Sequence, residues 1–272
     1  MSTAIPKTRI LARAFQEEGA LGVLEIVTEK LKATWRRGEV WQLGRFLGMP
    51  TDIVRLDGFK FTIDENRLPA NVIDLLLSDR YEEAERQALK KFLDPALPVV
   101  ELGGCIGVVS CLTNRLLREP EKHVVVEANR ELLPILRQNR ELNRCRFKIV
   151  HAAVFHDAET ITFNLSDNIL ASNLHGEEKQ ALVVSTVTLK RLLDEHRFER
   201  ATLICDIEGA ELQLVEKEID TLAERVVTII MELHDRMVGA EPIRRMLASL
   251  EQAGFRMIQQ TSDVVVLQNR AR

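Results

Sequence analysis

At its most informative point the sequence reads Val99-Val100-Glu101-Leu102-Gly103-Gly104-Cys105-Ile106-Gly107. The apolar run predicts a buried strand, and the glycines predict a tight turn into a helix whose N-terminus faces a ligand. A dinucleotide-binding turn needs the pattern G-x-G-x-x-G, but Leu102 stands where its first glycine belongs. Glu101 at the strand end favours a cationic ligand over a pyrophosphate. S-adenosylmethionine, with an ammonium and a sulfonium charge, is such a ligand; an ordinary turn without a ligand is the alternative.

Length and composition are those of a globular protein. The 272 residues, 46% hydrophobic and 29% charged, suffice for one large α/β domain plus an appendage. A net charge of -4 argues against a general nucleic-acid-binding surface. The four cysteines show no C-x-x-C spacing, so we expect reduced, packed thiols. Since the sequence shows neither a signal-peptide pattern nor an apolar stretch of about 20 residues, we expect a cytoplasmic location.

Two segments precede the glycine turn. Residues 1–50 carry apolar positions at helical spacing, with basic residues around Trp35 and Trp41, and predict an N-terminal helical extension. We expect this extension to pack on its own domain; docking on a membrane surface or on a glycosyltransferase complex is the alternative. Residues 51–97 predict a hairpin that turns at Asp57-Gly58, followed by two helices.

From residue 98 to residue 272 strands and helices alternate, which predicts an α/β fold with a doubly wound, mostly parallel sheet. The last two apolar runs, Phe255–Gln259 and Val264–Leu267, are joined by a connection too short for a parallel crossover. We therefore expect an antiparallel last strand.

Ligands of such sheets bind outside the carboxyl ends of the strands, so the residues that follow each strand are the candidates for a binding site. Glu127 ends the second strand, about 20 residues beyond the turn, where an acid accepts the two ribose hydroxyls of a nucleotide ligand. A helix N-cap role for this corner is the alternative. The expected cofactor-binding residues are Glu101, Gly103, Gly104, Gly107, Glu127, Ala128, Asn129 and Ala153.

Carboxylates and one imidazole follow the fourth and fifth strands of the predicted sheet. Asp206 and Glu208 lie at a strand-to-helix turn, and Glu232 and His234 lie two residues apart at the next strand end. Together they predict an acidic cleft with one imidazole. Glu211 is explained by its place at a helix N-terminus, where an acid is favourable with the dipole.

Several of these motifs together resemble the FkbM-type family of S-adenosylmethionine-dependent methyltransferases. The resemblance spans about residues 55 to 267, and Asp206-Ile207-Glu208-Gly209-Ala210-Glu211 is its most specific part. Two departures stand out: Glu101 and Cys105 replace the usual Asp and Asn of the turn, and Lys190 stands where many members have Asp. The other matching runs are Gly58–Phe61, Tyr81–Glu85, Glu101–Gly107, Glu127–Asn129, Ala171–Leu174, Thr186–Leu189 and Met231–His234.

The resemblance implies a Rossmann-like methyltransferase fold and O-methylation of a hydroxyl on a sugar, a glycan or a secondary metabolite. It implies catalytic roles for Asp206, Glu208 and His234, and acceptor contacts for Ser172, Asn173 and Glu232. Asp206 or His234 is the expected general base; a divalent cation such as Mg²⁺ on Asp206, Glu208 and His234 is the alternative.

Two other functions are compatible with the pattern. A non-catalytic scaffold would keep the fold and use residues 1–50 to join a glycosyltransferase or membrane complex. Such a scaffold would have no need of an intact set of Asp206, Glu208, Glu232 and His234. An NAD-dependent oxidoreductase is disfavoured by Leu102.

Overall fold

The computed structural model describes residues 53–64, 67–165 and 180–270. The predicted N-terminal extension at residues 1–50, and the predicted acceptor residues Ser172 and Asn173, lie outside the described residues. Within the described residues, no helix combines the length and the apolar character needed to cross a bilayer.

The described chain contains strands and helices in alternation. The strands are β1 Ile53–Leu56, β2 Phe59–Thr62, β3 Val99–Leu102, β4 His123–Glu127, β5 Lys148–His151, β6 Ala153–Val154, β7 Thr160–Leu165, β8 Gln180–Val187, β9 Ala201–Cys205, β10 Val226–Glu232, β11 Phe255–Thr261 and β12 Val264–Asn269. The α-helices are α1 Ala70–Leu77, α2 Glu83–Phe92, α3 Val108–Leu116, α4 Leu133–Leu142, α5 Leu189–Glu195, α6 Glu211–Arg225, α7 Asp235–Val238 and α8 Ala240–Gln252.

A seven-stranded sheet in the order β11-β12-β10-β9-β3-β4-β5 forms the centre of the fold. Strands β10, β9, β3, β4 and β5 pair in parallel, and β12 is antiparallel to both β10 and β11. The α/β class, the mostly parallel sheet and the antiparallel last strand are therefore confirmed. After β5 the chain leaves the central sheet, and β6 pairs with β8 in a separate three-stranded sheet with β7.

Strand β3 is buried on both faces, which explains its continuous apolar pattern. Val99 packs into a core cluster with helices α3 and α4, and Val100 and Leu102 pack into a second cluster on the opposite face. Full burial of an aliphatic side chain of this size contributes roughly 1.5–3 kcal/mol. The central strand is therefore anchored from both sides, and its carboxyl end is held in a fixed place.

The hairpin of β1 and β2 packs against helix α4 and shares the core cluster of α3 and α4. Two buried asparagines of that region complete its backbone hydrogen bonding. The Asn143 amide accepts from Lys60 N at 2.8 Å and donates to Lys60 O at 2.7 Å. Asn139 accepts from Thr62 N at 2.8 Å and donates to the carbonyl of Ile106, inside the glycine turn, at 2.8 Å. Asn139 thus ties the hairpin to the turn.

We expect the substitution Asn139→Ala to lower the free energy of unfolding by about 2–4 kcal/mol, because it leaves the Thr62 amide and the Ile106 carbonyl without partners. Denaturant unfolding measures the change. The matched control is Gln138→Ala, on the exposed side of the same helix, for which we expect a change within about 0.5 kcal/mol. Equal stability of the two variants would show that Asn139 does not hold the hairpin in place.

Candidate functional site

A cavity of about 710 Å³ opens at the carboxyl ends of the parallel strands, where open α/β sheets bind their ligands. Carboxylates dominate its wall, and among the described lining residues Arg80 carries the only positive charge. Such a surface attracts cationic ligands and repels anionic ones. The eight lining carboxylates are Glu82, Glu83, Glu85, Glu127, Asp206, Glu208, Glu232 and Asp263.

The glycine turn lies directly against Asp206. Gly103 has a left-handed backbone with φ +93°, and a Cβ built on it would lie 1.8 Å from the carbonyl oxygen of Asp206. No side chain fits there, so position 103 requires glycine on both counts. A Cβ on Gly104 would meet Val125 Cγ1 at 2.5 Å. Gly107 does not line the cavity; it packs against Leu136, whose Cδ1 would lie 2.7 Å from a Cβ at position 107.

Glu101 is placed differently from our expectation. Its side chain is fully buried beneath the turn and does not line the cavity. One carboxylate oxygen accepts a hydrogen bond from Ser110 Oγ, and the other lies 3.0 Å from His123 Nε2. An isolated buried carboxylate would be costly, and these two partners account for its burial. The described structure therefore does not place Glu101 on the cavity wall, where the sequence led us to expect it to face a cationic ligand.

Glu127 lies where the sequence predicts, on the cavity wall at the end of β4. Its Oε2 accepts from Cys105 N at 2.7 Å and its Oε1 accepts from Asn129 N at 2.6 Å. Burial raises the pKa of this carboxyl to about 7 although these amides favour the charged form. Ala128, Asn129 and Ala153 also line the cavity. The structure thus brings together the predicted ribose-binding corner.

Asp206, Glu208 and His234 also come together as predicted. His234 Nε2 lies 3.4 Å from Asp206 Oδ1 and 3.5 Å from Glu208 Oε2. On its other side, His234 Nδ1 lies 3.0 Å from Oε1 of Glu211, which is fully buried and accepts from Ile207 N. Asp206 and Glu208 line the cavity, whereas His234 lies against them outside the lining. Glu211 therefore does more than complement the helix dipole: it holds the imidazole.

The pKa values of Asp206 and His234 are both raised, for different reasons. Burial and the neighbouring Glu208 raise the pKa of Asp206 to about 8. Burial lowers the pKa of His234, but the surrounding carboxylates, Glu211 first, outweigh it and raise that pKa to about 9. Near neutral pH His234 is therefore an imidazolium. Of the two expected general bases, the geometry and the pKa values favour Asp206, because it lines the cavity and has a pKa near the working range.

Three ligand atoms in this group are close enough to share a metal ion. Asp206, Glu232 and His234 each offer one atom, and these atoms lie within 4.8 Å of one another. The set contains Glu232 in place of the expected Glu208. Glu211 behind His234 gives the arrangement in which a carboxylate orients a metal-binding imidazole. The residues present thus fit a divalent cation as well as a metal-free base.

The segment before the sheet contributes to the site, which the sequence did not predict. Tyr81, Glu82 and Glu85 line the cavity, and Tyr81 Oη lies 3.1 Å from Cys105 Sγ in the glycine turn. Asp263, between β11 and β12, lines the cavity as well. The run Tyr81–Glu85 matches the family pattern, but acids in the first turn of a helix are usually explained by the helix dipole, so the sequence assigned this run no role in a site.

Comparison with known proteins identifies one family. A model of the methyltransferase FkbM domain matches residues 101–257. No curated protein matches the chain.

Solved structures similar to this chain include other methyltransferases at low identity. A precorrin-6y C5,15-methyltransferase from Geobacter metallireducens is 13% identical, with 76% of this chain and 98% of that chain covered and a TM-score of 0.43. A ribosomal protein L11 methylase from Lactobacillus delbrueckii is 10% identical, with 70% of this chain and 77% of that chain covered and a TM-score of 0.40. A tRNA (uracil-54, C5)-methyltransferase from Pyrococcus abyssi is 12% identical, with 80% of this chain and 44% of that chain covered and a TM-score of 0.45.

Glu127 provides a test of the cofactor site that needs no acceptor. If its carboxylate accepts ribose hydroxyls, S-adenosylhomocysteine should bind more weakly at pH 6 than at pH 8, because the pKa of about 7 means that Glu127 gains a proton between them. The substitution Glu127→Gln should weaken binding at pH 8 by about 1–3 kcal/mol and reduce the pH dependence. Isothermal titration at both pH values measures this. If the variant and the parent bind S-adenosylhomocysteine with equal affinity, Glu127 does not bind the ribose.

Proposed function

The chain belongs to the FkbM family of S-adenosylmethionine-dependent methyltransferases, and we propose that it methylates a hydroxyl oxygen of a sugar, a glycan or a secondary metabolite. The observation that carries the proposal is the position of Asp206. Asp206 lines the cavity, its backbone carbonyl lies against Gly103 of the glycine turn, and its pKa of about 8 suits a general base. A retained fold without chemistry would not need this arrangement.

The cavity fits the proposed cofactor. It provides an acid for the ribose at Glu127, a turn that approaches the ligand without a side chain at Gly103, and a strongly acidic wall for a ligand with two positive charges. Ala128, Asn129 and Ala153 border the Glu127 corner. When bound, S-adenosylmethionine supplies an electrophilic methyl group.

The residues of the cavity would then deprotonate and orient the acceptor. Asp206 would take the proton of the acceptor hydroxyl. The acceptor oxygen would then be the nucleophile for the methyl group that the cofactor supplies, with S-adenosylhomocysteine as the leaving product. His234, held by Glu211, lies 3.4 Å from Asp206 and stabilises its carboxylate in the charged form. Glu208, on the cavity wall, remains a candidate for orienting the acceptor, as do Glu232 and, outside the described residues, Ser172 and Asn173.

A divalent cation would change the way in which the hydroxyl is activated. Asp206, Glu232 and His234 would hold it, and its charge would lower the pKa of the acceptor hydroxyl. Both versions need the charged carboxylate of Asp206. The acidic wall also favours neutral or cationic acceptors over phosphorylated or carboxylated ones, which supports a sugar or metabolite hydroxyl.

The main test of the proposal is methyl transfer from labelled S-adenosylmethionine to a panel of neutral sugars and hydroxylated metabolites, with mass spectrometry to locate the new methyl group. Methylation at carbon or nitrogen would overturn the assignment of O-methylation. Binding of NAD without binding of S-adenosylhomocysteine would overturn the methyltransferase reaction itself.

With an acceptor in hand, we expect the substitution Asp206→Asn to lower kcat by about 100-fold or more while the affinity for S-adenosylhomocysteine stays nearly unchanged. The amide keeps the shape but cannot take the proton. The control is Asp220→Asn, the same chemical change at an exposed position of α6, which should leave kcat unchanged. If kcat of the Asp206 variant is close to that of the parent, Asp206 does not take part in the reaction.

The pH profile and a chelator distinguish the two versions of the chemistry. For the direct base we expect kcat/KM to rise with pH through an apparent pKa near 8, and this limb to be absent from the Asp206→Asn profile. Treatment with a chelator should then have no effect. Loss of activity that Mg²⁺ or Mn²⁺ restores would instead establish the metal version.

A further inference from the structure

A small side chamber of about 10 Å³ adjoins the main cavity beneath the glycine turn. It has room for about one water-sized group. Glu82, Glu85 and Glu232 surround it, and we call these three residues the carboxylate pocket. All three acids of the pocket also line the main cavity, so a ligand in the cavity can reach the chamber. The rest of the chamber wall is formed by Gly103, Gly104, Val109, Ile204, Cys205, Asp206 and Ile230.

No Lys, Arg or His among the described residues forms an ion pair with Glu82, Glu85 or Glu232, although a ligand atom of His234 lies within 4.8 Å of one of Glu232. Glu85 is only 8% exposed, and its carboxyl hydrogen-bonds to that of Glu232. Glu82 Oε2 is buried and accepts no hydrogen bond within the described structure. The guanidinium of Arg86 donates its hydrogen bonds elsewhere, to the Tyr81 carbonyl and towards Asp57 and Asp79. Acids brought together in this way require a proton or a cation between them.

We propose that the carboxylate pocket receives the ammonium group of the methionine end of S-adenosylmethionine, with Glu82 as its principal acceptor. This inference rests on the proposed function and takes the place of the role expected for Glu101. An ammonium group has three donors and no acceptor, and the pocket offers three carboxylates and no donor of positive charge. Burial raises the pKa of Glu82, and a bound cation would favour its charged form.

The order of residues along the cavity supports this placement. Glu127 accepts from Cys105 N at 2.7 Å, and Cys105 Sγ lies 3.1 Å from Tyr81 Oη, next to Glu82 in the chain. The ribose corner, the glycine turn and the carboxylate pocket therefore follow one another along one wall. A ligand with ribose at one end and an ammonium group at the other matches this sequence of sites.

The size of the chamber favours an ammonium group over a metal ion. Mg²⁺ dehydrates reluctantly, keeps several waters and demands near-octahedral coordination. A chamber for about one water-sized group does not hold such a hydrated ion. An ammonium group on a flexible chain enters from the main cavity and needs only its own volume.

The test compares ligands with and without the amine on the parent chain and on the variant Glu82→Gln. Isothermal titration with S-adenosylhomocysteine, its desamino analogue and 5′-methylthioadenosine gives the dissociation constants. We expect Glu82→Gln to raise the dissociation constant of S-adenosylhomocysteine about 10- to 100-fold. The dissociation constants of the other two ligands should stay unchanged, because the charge-assisted hydrogen bonds are lost only where the amine is present. The control is Glu251→Gln, which removes one charge at an exposed site of α8 and should change no dissociation constant.

Other outcomes overturn the inference in distinguishable ways. Equal weakening of all three ligands would assign Glu82 a structural role, and no weakening would leave it without a role in binding. If Glu82→Gln fails to fold, the parent protein still tests the proposal. Equal affinity of the parent for S-adenosylhomocysteine and for its desamino analogue would show that the carboxylate pocket does not bind the ammonium group. A different result would be that Mg²⁺ or Mn²⁺ alone raises the melting temperature of the parent but not that of Glu82→Gln. That result would overturn the proposal and assign the carboxylate pocket to a metal ion. If no adenosyl ligand binds the parent, the proposed function falls and this inference falls with it.

Discussion

The carbonyl oxygen of Asp206 occupies the space in which a side chain at position 103 would begin, 1.8 Å from where a Cβ would stand. The absence of that side chain lets the ends of β3 and β9 meet, and Asp206 N donates to the carbonyl of Leu102 at 2.9 Å beside the contact. The glycine turn and Asp206 are thereby fixed relative to each other by backbone atoms. A catalytic arrangement built on backbone contacts between central strands is more rigid than one built on loops.

Four acids around this contact differ in their chemistry because their partners differ. Glu101 is fully buried and held by Ser110 and His123, so it serves the structure beneath the turn. Glu127 accepts two backbone amides and has a pKa of about 7. Asp206 lies beside Glu208 and His234 and has a pKa of about 8. Glu82 has a buried oxygen without a hydrogen bond in the described structure. The environment thus separates one structural acid from three that line the cavity.

The family membership and the site geometry support the same reaction from different directions. The family match covers residues 101–257 and says nothing about the segment before them. The structure adds that segment to the site, because α2 brings Glu82 and Glu85 to the cavity and the hairpin before it is fastened to α4 by Asn139 and Asn143. An appendage that the sequence pattern sets apart from the core thus contributes part of the cavity wall.

The sequence by itself determined the strand–turn–helix at residue 99, a mostly parallel sheet with an antiparallel last strand, and the places of Glu127, Asp206, Glu208, Glu232 and His234 after their strands. These features follow from local periodicity, glycine spacing and the rule that parallel strands end at one edge. The tertiary structure alone decided which acids face the cavity. The orientation of Glu101 depends on Ser110 and His123, which lie 9 and 22 residues away. The placement of Glu82 depends on a hairpin joined to α4 across 77 to 83 residues. A pattern of residue types records neither relationship, because the direction of a carboxylate is set by partners that only the folded chain brings near.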